Sequence, residues 1–174
     1  MKHYCFIKAI NVGGKNSVAM ADLVRVLKIE TGGEIASLVN SGNLIIDSEL
    51  PRDALKEKIQ GVLKTEFGID TSAFVLSRDE IATLLEELPY AGEEADKSRQ
   101  LVYFMLEPDE DAGMESIAKN KGIVESCYLK KGFLFVYYKN GVGRSKLTTN
   151  CIDKAFKTKS TGRNIGTIEK IMDK

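Results

Sequence analysis

Apolar and polar positions in the first half of the chain alternate between strand-like and helix-like patterns. Short apolar runs predict strands at residues 4–10, 35–39, 44–46 and 71–76. Apolar residues at helical spacing predict helices between them, carried first by Met20, Leu23, Val24 and Leu27, and then by Leu55, Ile59, Val62, Leu63 and Phe67. The order is therefore β-α-β-β-α-β, which is typical of the ferredoxin-like fold.

The second half predicts a similar order of elements. A helix at 78–88 is followed by strands at 101–106, 123–129 and 133–138. A helix starts near Pro108 and ends before Gly122, a second covers 147–156, and a final short helix covers 164–172. The second half therefore reads β-α-β-β-α, with no strand predicted after residue 156.

Together these patterns predict an α+β protein with two ferredoxin-like subdomains, each an antiparallel sheet with helices packed on one face. We expect an N-terminal subdomain over residues 1–90, comprising a βαββαβ unit and the helix after it. Residues 91–98 are polar and acidic and are interpreted as the linking loop. The C-terminal βαββα subdomain is expected over residues 99–174.

Four polar turns that contain glycine stand out, at residues 11–16, 40–43, 140–146 and 161–164. The first and third lie between a predicted strand and a predicted helix, and Ser17 is expected to cap the helix after the first. Helix N-termini and glycine-rich turns expose amide N–H groups that attract anions, while lysine and arginine supply positive charge. The sequence therefore predicts an anion site in a cleft between the two subdomains.

The predicted ligand-binding residues come from all four turns. They are Asn11, Gly13, Gly14, Lys15, Asn16, Ser41, Asn43, Gly143, Arg144, Ser145, Lys146, Arg163 and Asn164. The glycine spacing matches neither the Rossmann fingerprint nor the Walker A motif. The competing interpretation is that these are ordinary turns with exposed lysines. No catalytic residue follows from the pattern.

Cysteine and histidine give little support for metal or nucleophilic chemistry. Cys5, Cys127 and Cys151 are widely spaced and are interpreted as reduced, buried thiols, and His3 is the only histidine. A zinc site or a Ser-His-Asp triad would have to include His3, so neither is favoured. No metal site and no cofactor motif is predicted.

Composition and charge describe the expected setting of the protein. Hydrophobic residues make up 43% and charged residues 29% of the chain, as in soluble proteins. No apolar stretch is long enough for a membrane span, so the expected location is the cytoplasm. Residues 78–113 carry 3 basic and 11 acidic side chains, whereas residues 114–174 carry 13 and 5. Such asymmetry fits an anionic partner or internal pairing, and no feature indicates an oligomer.

Five short motifs follow one another along the chain: Ile10-Asn-Val-Gly-Gly-Lys-Asn16, Ser41-Gly-Asn43, Phe67-Gly68, Gly141-Val-Gly-Arg-Ser-Lys-Leu147 and, near the end, Arg163-Asn164. Together they resemble the motifs of DUF1697, a bacterial family without an established activity. It implies a ferredoxin-like α+β fold in two subdomains and no catalytic residue.

Four classes of function remain open from the sequence. The first is binding of a phosphate-bearing small molecule at the polar turns. The second is a nucleic-acid-binding module, in which Phe133, Phe135, Tyr137 and Tyr128 stack on bases, although the alternating pattern favours core packing of these rings. The third is an enzyme of unknown reaction acting on a phosphorylated substrate. The fourth is a structural interaction protein, in which the basic C-terminal third meets an acidic partner or the acidic middle segment of a second copy.

Overall fold

A computed structural model describes all residues from Met1 to Lys174. The chain divides into two compact units. One comprises Met1–Ile81 together with Lys174, and the other comprises Ala82–Asp173. The division falls within the helix Arg78–Glu86, and each unit contains a four-stranded antiparallel sheet.

The N-terminal unit has the predicted βαββαβ order. Its strands are β1 (Lys2–Ile7), β2 (Glu34–Leu38), β3 (Asn43–Asp47) and β4 (Ala73–Ser77). Its helices are α1 (Met20–Thr31) and α2 (Arg52–Phe67), and α3 (Arg78–Glu86) follows β4. The strand order is β2-β3-β1-β4, so β1 is central and pairs with both β3 and β4.

Alternation along the strands places one apolar face of this sheet against α1 and α2. Cys5 and Ile7 of β1 are fully buried and lie in one cluster with Leu23 of α1 and Leu55 of α2. Burying an aliphatic side chain of this size contributes about 2 kcal/mol. Each helix ends at a glycine in the left-handed conformation, Gly32 after α1 and Gly68 after α2.

The C-terminal unit repeats the same plan. Its strands are β5 (Gln100–Met105), β6 (Ser126–Lys130), β7 (Phe133–Tyr137) and β8 (Ser160–Asn164). Its helices are α4 (Glu110–Lys119), α5 (Thr149–Ala155) and α6 (Ile165–Met172). The strand order β6-β7-β5-β8 corresponds element by element to that of the first unit. The confirmed fold is therefore α+β with two similar antiparallel sheets.

The sequence pattern does not predict strand β8 (160–164), because its residues are polar and residues 161–164 are typical of a turn. The strand forms through tertiary contacts: it pairs with β5, with Gly162 opposite Tyr103. The Asp153 carboxylate also accepts hydrogen bonds from the Ser160 amide at 2.8 Å and its hydroxyl at 2.6 Å. The second unit is thus βαββαβ, completed by a strand that has no apolar periodicity.

Residues 138–147, which follow β7, are held against the C-terminal core by hydrogen bonds of two buried tyrosines. The hydroxyls of Tyr103 and Tyr138 lie 2.6 Å apart, and Tyr138 also donates to the Leu147 carbonyl at 3.0 Å. Leu147 itself is 1% exposed. Buried hydroxyls need such partners, and here the partners fix the path of residues 138–147.

Candidate functional site

The loop between β1 and α1 is built on left-handed backbone conformations. Asn11, Gly13, Gly14 and Asn16 have φ values of 54°, 60°, 74° and 50°. Glycine and asparagine tolerate this region better than other residues, which explains their density here. The loop therefore turns tightly several times before α1 begins.

The side chains of the two asparagines hold this loop in place. Asn11 donates to the carbonyls of Val18 at 2.9 Å and Asn40 at 2.8 Å, and accepts from the Val18 amide at 2.8 Å. Asn16 donates to the Ala9 carbonyl at 2.9 Å. Both predicted ligand residues thus use their amides to connect backbone segments.

A polar pocket of about 460 Å³ opens between this loop and the β2–β3 hairpin. Its lining comprises Asn11, Gly14, Lys15, Ser17, Val18, Ala19, Met20 and Asn40. Lys15 is exposed, and its ammonium group forms no ion pair. The pocket therefore combines one unpaired cation with backbone and hydroxyl donors.

The first turn of α1 faces this pocket without a side-chain cap. Ser17 was expected to cap the helix, but the N-cap residue is Ala19 and no side chain bonds to the first turn. The cap falls two residues later because Val18 and Met20 are both buried and set where the helix begins. The amide N–H groups of Met20 and Ala21 have no acceptor within the helix and remain available.

Ser41 and Asn43 lie in the hairpin beside this loop. Asn43 is fully buried and donates to the Leu38 carbonyl at 3.1 Å and the Ser41 hydroxyl at 3.0 Å. Gly42 between them has a φ of 73°. In this structure these residues shape the hairpin, and ligand binding by their side chains stays a prediction.

The residues predicted around Arg144 form an exposed loop in the C-terminal unit. A short 3₁₀ turn covers Val142–Arg144, and the Ser145 hydroxyl accepts from the Leu147 amide at 2.9 Å. Gly143, Arg144 and Lys146 are exposed, and neither cation forms an ion pair. Their positive charge is therefore free to attract an anion.

The helix after this loop starts later than expected. We predicted a helix from residue 147, but α5 begins at Thr149, because Thr148 takes the N-cap position and accepts from the Cys151 amide at 3.2 Å. That cap already satisfies a donor of the first turn. Anion binding at this helix N-terminus is therefore less favourable than at α1.

Arg163 and Asn164 lie at the end of β8. Arg163 is 9% exposed and donates to the Thr161 hydroxyl and the Gly162 carbonyl, each at 2.8 Å. Asn164 caps α6 by accepting from the Gly166 amide at 2.8 Å, and it donates to the Lys97 carbonyl. These contacts stabilise the second sheet and its last helix.

Of the thirteen predicted ligand residues, three line the same pocket in the N-terminal unit: Asn11, Gly14 and Lys15. In the C-terminal unit, Arg144 and Lys146 share one loop, and Arg163 and Asn164 share one strand. The predicted convergence of the turns on a single anion stays a prediction. Asn40 and Ala19 also line this pocket, and neither is among the predicted ligand residues. For Ala19 the sequence did contain a signal, because an alanine directly before the helical pattern indicates a helix without a side-chain cap.

The aromatic residues of the second sheet pack within the unit. Phe135 is fully buried, Tyr137 is 7% exposed, and both rings lie about 6 Å from the ring of Tyr90. Tyr90 also meets Tyr128 edge to face. Bases need an exposed ring face for stacking, so Phe135 and Tyr137 do not offer a stacking platform.

The cysteine thiols are free and at least partly buried, and Cys5 is fully buried. Burial raises the pKa of the Cys127 thiol to about 12, so it is protonated near neutral pH and a poor nucleophile. No cluster of three or more metal-ligating side chains is present.

His3 is buried in β1, and neither ring nitrogen has a hydrogen-bond partner. Burial lowers its pKa, and the nearby charges of the Met1 amino group and Arg52 lower it further. A triad needs a nucleophile and an acid bonded to the imidazole, and His3 has neither.

This burial predicts a pH-dependent stability. Because the folded-state pKa is below the unfolded value of about 6.5, the unfolded chain binds more protons as the pH falls below 6.5. The contribution of His3 to the free energy of unfolding is therefore fully present above that pH and decreases below it. His3 is the only histidine, so a His3→Gln variant should show a flatter stability profile between about pH 7 and pH 5.5 in urea titrations. Equal slopes for the two proteins would contradict the assignment.

Comparison with known proteins agrees with this architecture of two repeated ferredoxin-like units. The family described as "Protein of unknown function (DUF1697)" matches residues 1–135. The chain belongs to this family.

One solved structure with the same fold is similar to this chain over nearly the whole length of both proteins. It is described as the structure of conserved bacterial protein SP0830 from Streptococcus pneumoniae. The identity is 27% and the TM-score 0.77, over 99% of this chain and 97% of that one. No curated protein matches the chain. No helix in the chain has the length and apolar character required to cross a membrane.

Proposed function

We propose that this protein binds an anionic, phosphate-bearing small molecule in the pocket at the N-terminus of α1. The observation that carries the proposal is the uncapped first turn of α1, which opens onto a polar pocket beside an unpaired lysine. A helix N-terminus carries about half a positive charge, and its free N–H groups point outward along the axis. An anion placed there gains both hydrogen bonds and charge compensation.

The pocket supplies the further donors that such a ligand needs. Lys15 contributes a mobile point charge, the Ser17 hydroxyl is exposed beside it, and Gly14 allows close approach to the backbone. The volume of about 460 Å³ lies within the range of small-molecule sites. A phosphorylated metabolite or nucleotide therefore fits the chemistry of the lining.

One acidic residue opposes anion binding and gives the proposal a second test. Asp22 lies in the first turn of α1, and Arg25 is 3.8 Å from its carboxylate. Both side chains are exposed, so the pair compensates the carboxylate weakly. An Asp22→Asn variant should therefore bind an anion more tightly than the native protein.

We expect inorganic phosphate to raise the melting temperature, and Lys15→Ala to weaken phosphate binding about tenfold. The melting temperature without phosphate should stay unchanged in this variant, because Lys15 is exposed and unpaired. Differential scanning fluorimetry over a phosphate series, with a nucleoside triphosphate as a second probe, gives both values. Lys64→Ala is the matched control, since Lys64 is an exposed lysine of the same unit outside the pocket.

An undiminished phosphate shift in Lys15→Ala would contradict the proposal, as would the absence of any shift in the native protein. The exposed cations of the C-terminal loop provide a separate arm of the same experiment. If Arg144→Ala and Lys146→Ala also reduce the shift, those residues take part in binding. If they leave it intact, the ligand contacts the N-terminal unit alone.

A further inference from the structure

A second pocket lies in the C-terminal unit, apart from the residues that carry the proposed function. Its volume is about 320 Å³, and its lining includes the exposed Val124, the largely buried Tyr137 and charged residues of both signs. Its acidic residues are Glu93 and Glu94, and its basic residues are Arg99 and Lys139. The pocket therefore differs from the first one in being zwitterionic rather than cationic.

The backbone that carries these charges is fixed by side-chain hydrogen bonds. The Tyr137 hydroxyl donates to the Glu93 carbonyl at 2.8 Å, and the amide of the buried Gln100 donates to the Glu94 carbonyl at 2.6 Å. Arg99 donates through one guanidinium nitrogen to the Lys139 carbonyl. The pocket is thus pre-organised, which lowers the entropy cost of ligand binding.

Two of the four charges have partners already. The Glu94 carboxylate accepts from the Tyr128 hydroxyl at 2.8 Å, and the Nε atom of Arg99 lies 3.3 Å from the Asp96 carboxylate. The carboxylate of Glu93 and the ammonium of Lys139 form no ion pair, either with each other or with another residue. One free anion and one free cation therefore border the same cavity without neutralising each other.

We propose that this pocket binds a small zwitterion that carries an ammonium and a carboxylate group, of the class of free amino acids and dipeptides. The ligand ammonium pairs with Glu93, and the ligand carboxylate pairs with Lys139. The exposed Val124 provides apolar surface for the part of the ligand between or beside its charged groups. This inference is independent of the anion site at α1.

Charge complementarity explains why a zwitterion suits the pocket better than a simple ion. A lone anion would be attracted by Lys139 and Arg99 but repelled by Glu93 and Glu94, and a lone cation would meet the reverse field. A molecule with both charges gains from the acidic and from the basic residues of the pocket. The volume of about 320 Å³ lies at the lower end for ligand sites, which restricts the ligand to a small molecule.

The test uses the full chain and a panel of L-amino acids and glycyl dipeptides, screened by differential scanning fluorimetry and followed by calorimetric titration. We expect at least one zwitterion to bind, and its N-acetyl and C-terminal amide derivatives to bind at least tenfold more weakly. Lys139→Gln and Glu93→Gln should each weaken binding of the zwitterion about tenfold or more. Lys130→Gln and Glu86→Gln are the matched controls, being exposed residues of the same unit outside the pocket.

Because Glu93 and Lys139 are exposed and unpaired, both variants should keep the native melting temperature without ligand. The proposal is overturned if no zwitterion in the panel binds, or if the N-acetyl derivative binds as tightly as its parent. It is also overturned if binding survives unchanged in Lys139→Gln and Glu93→Gln. Phosphate binding at α1 should be unaffected in both variants, so this test and that of the proposed function fail separately.

Discussion

Replacing Gly113 with alanine is expected to lower the free energy of unfolding by about 2 kcal/mol, although alanine is the better helix former. Gly113 lies within α4, and a Cβ atom there would come within 2.1 Å of the Phe156 ring. Phe156 is fully buried, so the ring has no open space to enter. Overlap of this size in a packed core costs more than the roughly 1 kcal/mol gained in helix propensity.

Gly61 offers the matched control for this prediction. It lies within α2, and a Cβ atom there would meet nothing within 4 Å. Gly61→Ala should therefore stabilise the protein by about 0.5 to 1 kcal/mol. Urea unfolding followed by circular dichroism measures both changes, and their opposite signs separate steric overlap from helix propensity.

A double variant locates the cause at the ring. Phe156→Leu alone should destabilise the protein through lost packing, but the same change in the Gly113→Ala background should cost much less. A favourable coupling energy between the two positions would confirm that the overlap involves Phe156. If Gly113→Ala instead increases stability as Gly61→Ala does, the packing of α4 on α5 differs from that described here.

The parts of the fold that the sequence predicted well are those determined by local periodicity. Strand β1 has a nearly continuous apolar run, and α2 has an apolar stripe that ends at a glycine, so each pattern is readable within a short window. Strand β8 has no such pattern. It depends on pairing with β5 and on the Asp153 carboxylate, which are contacts between distant parts of the chain.

In the candidate site, too, the sequence predicted the local turn but not the feature that depends on tertiary packing. Residue type predicted correctly that Asn11 and Gly14 form a tight turn, because both accept positive φ. It did not predict where α1 begins, since Ser17 is the better capping residue and Ala19 occupies the cap position through the packing of its neighbours. The uncapped helix end, which carries the proposed function, is therefore a tertiary feature.

Two positively charged residues show that residue type alone does not predict the role of a side chain. Arg163 and Lys15 were predicted for the same role from the same kind of turn. In the structure Arg163 is 9% exposed and bonded within β8, whereas Lys15 is exposed and unpaired. Only the partners that each side chain finds after folding distinguish a structural cation from one available to a ligand.

Gly42→Ala is expected to destabilise the protein by about 3 kcal/mol, for two reasons that add. Gly42 has a φ of 73°, a conformation that costs an alanine about 1 kcal/mol. A Cβ atom there would also come within 2.3 Å of the Ile10 side chain and 3.0 Å of the Cβ atom of Ile7. Both isoleucines are fully buried, so overpacking contributes about 2 kcal/mol more.

Gly68→Ala separates the two contributions. Gly68 has a φ of 65°, but a Cβ atom there would meet nothing within 4 Å, so this variant should lose only the backbone part, about 1 kcal/mol. Chemical denaturation of both variants gives the difference directly. Removing the obstructing methyl groups with Ile10→Ala should reduce the effect of Gly42→Ala toward that of Gly68→Ala. Equal losses in the two glycine variants would show that contact with Ile10 contributes nothing, and the requirement for glycine in the Ser41-Gly42-Asn43 turn would then rest on backbone conformation alone.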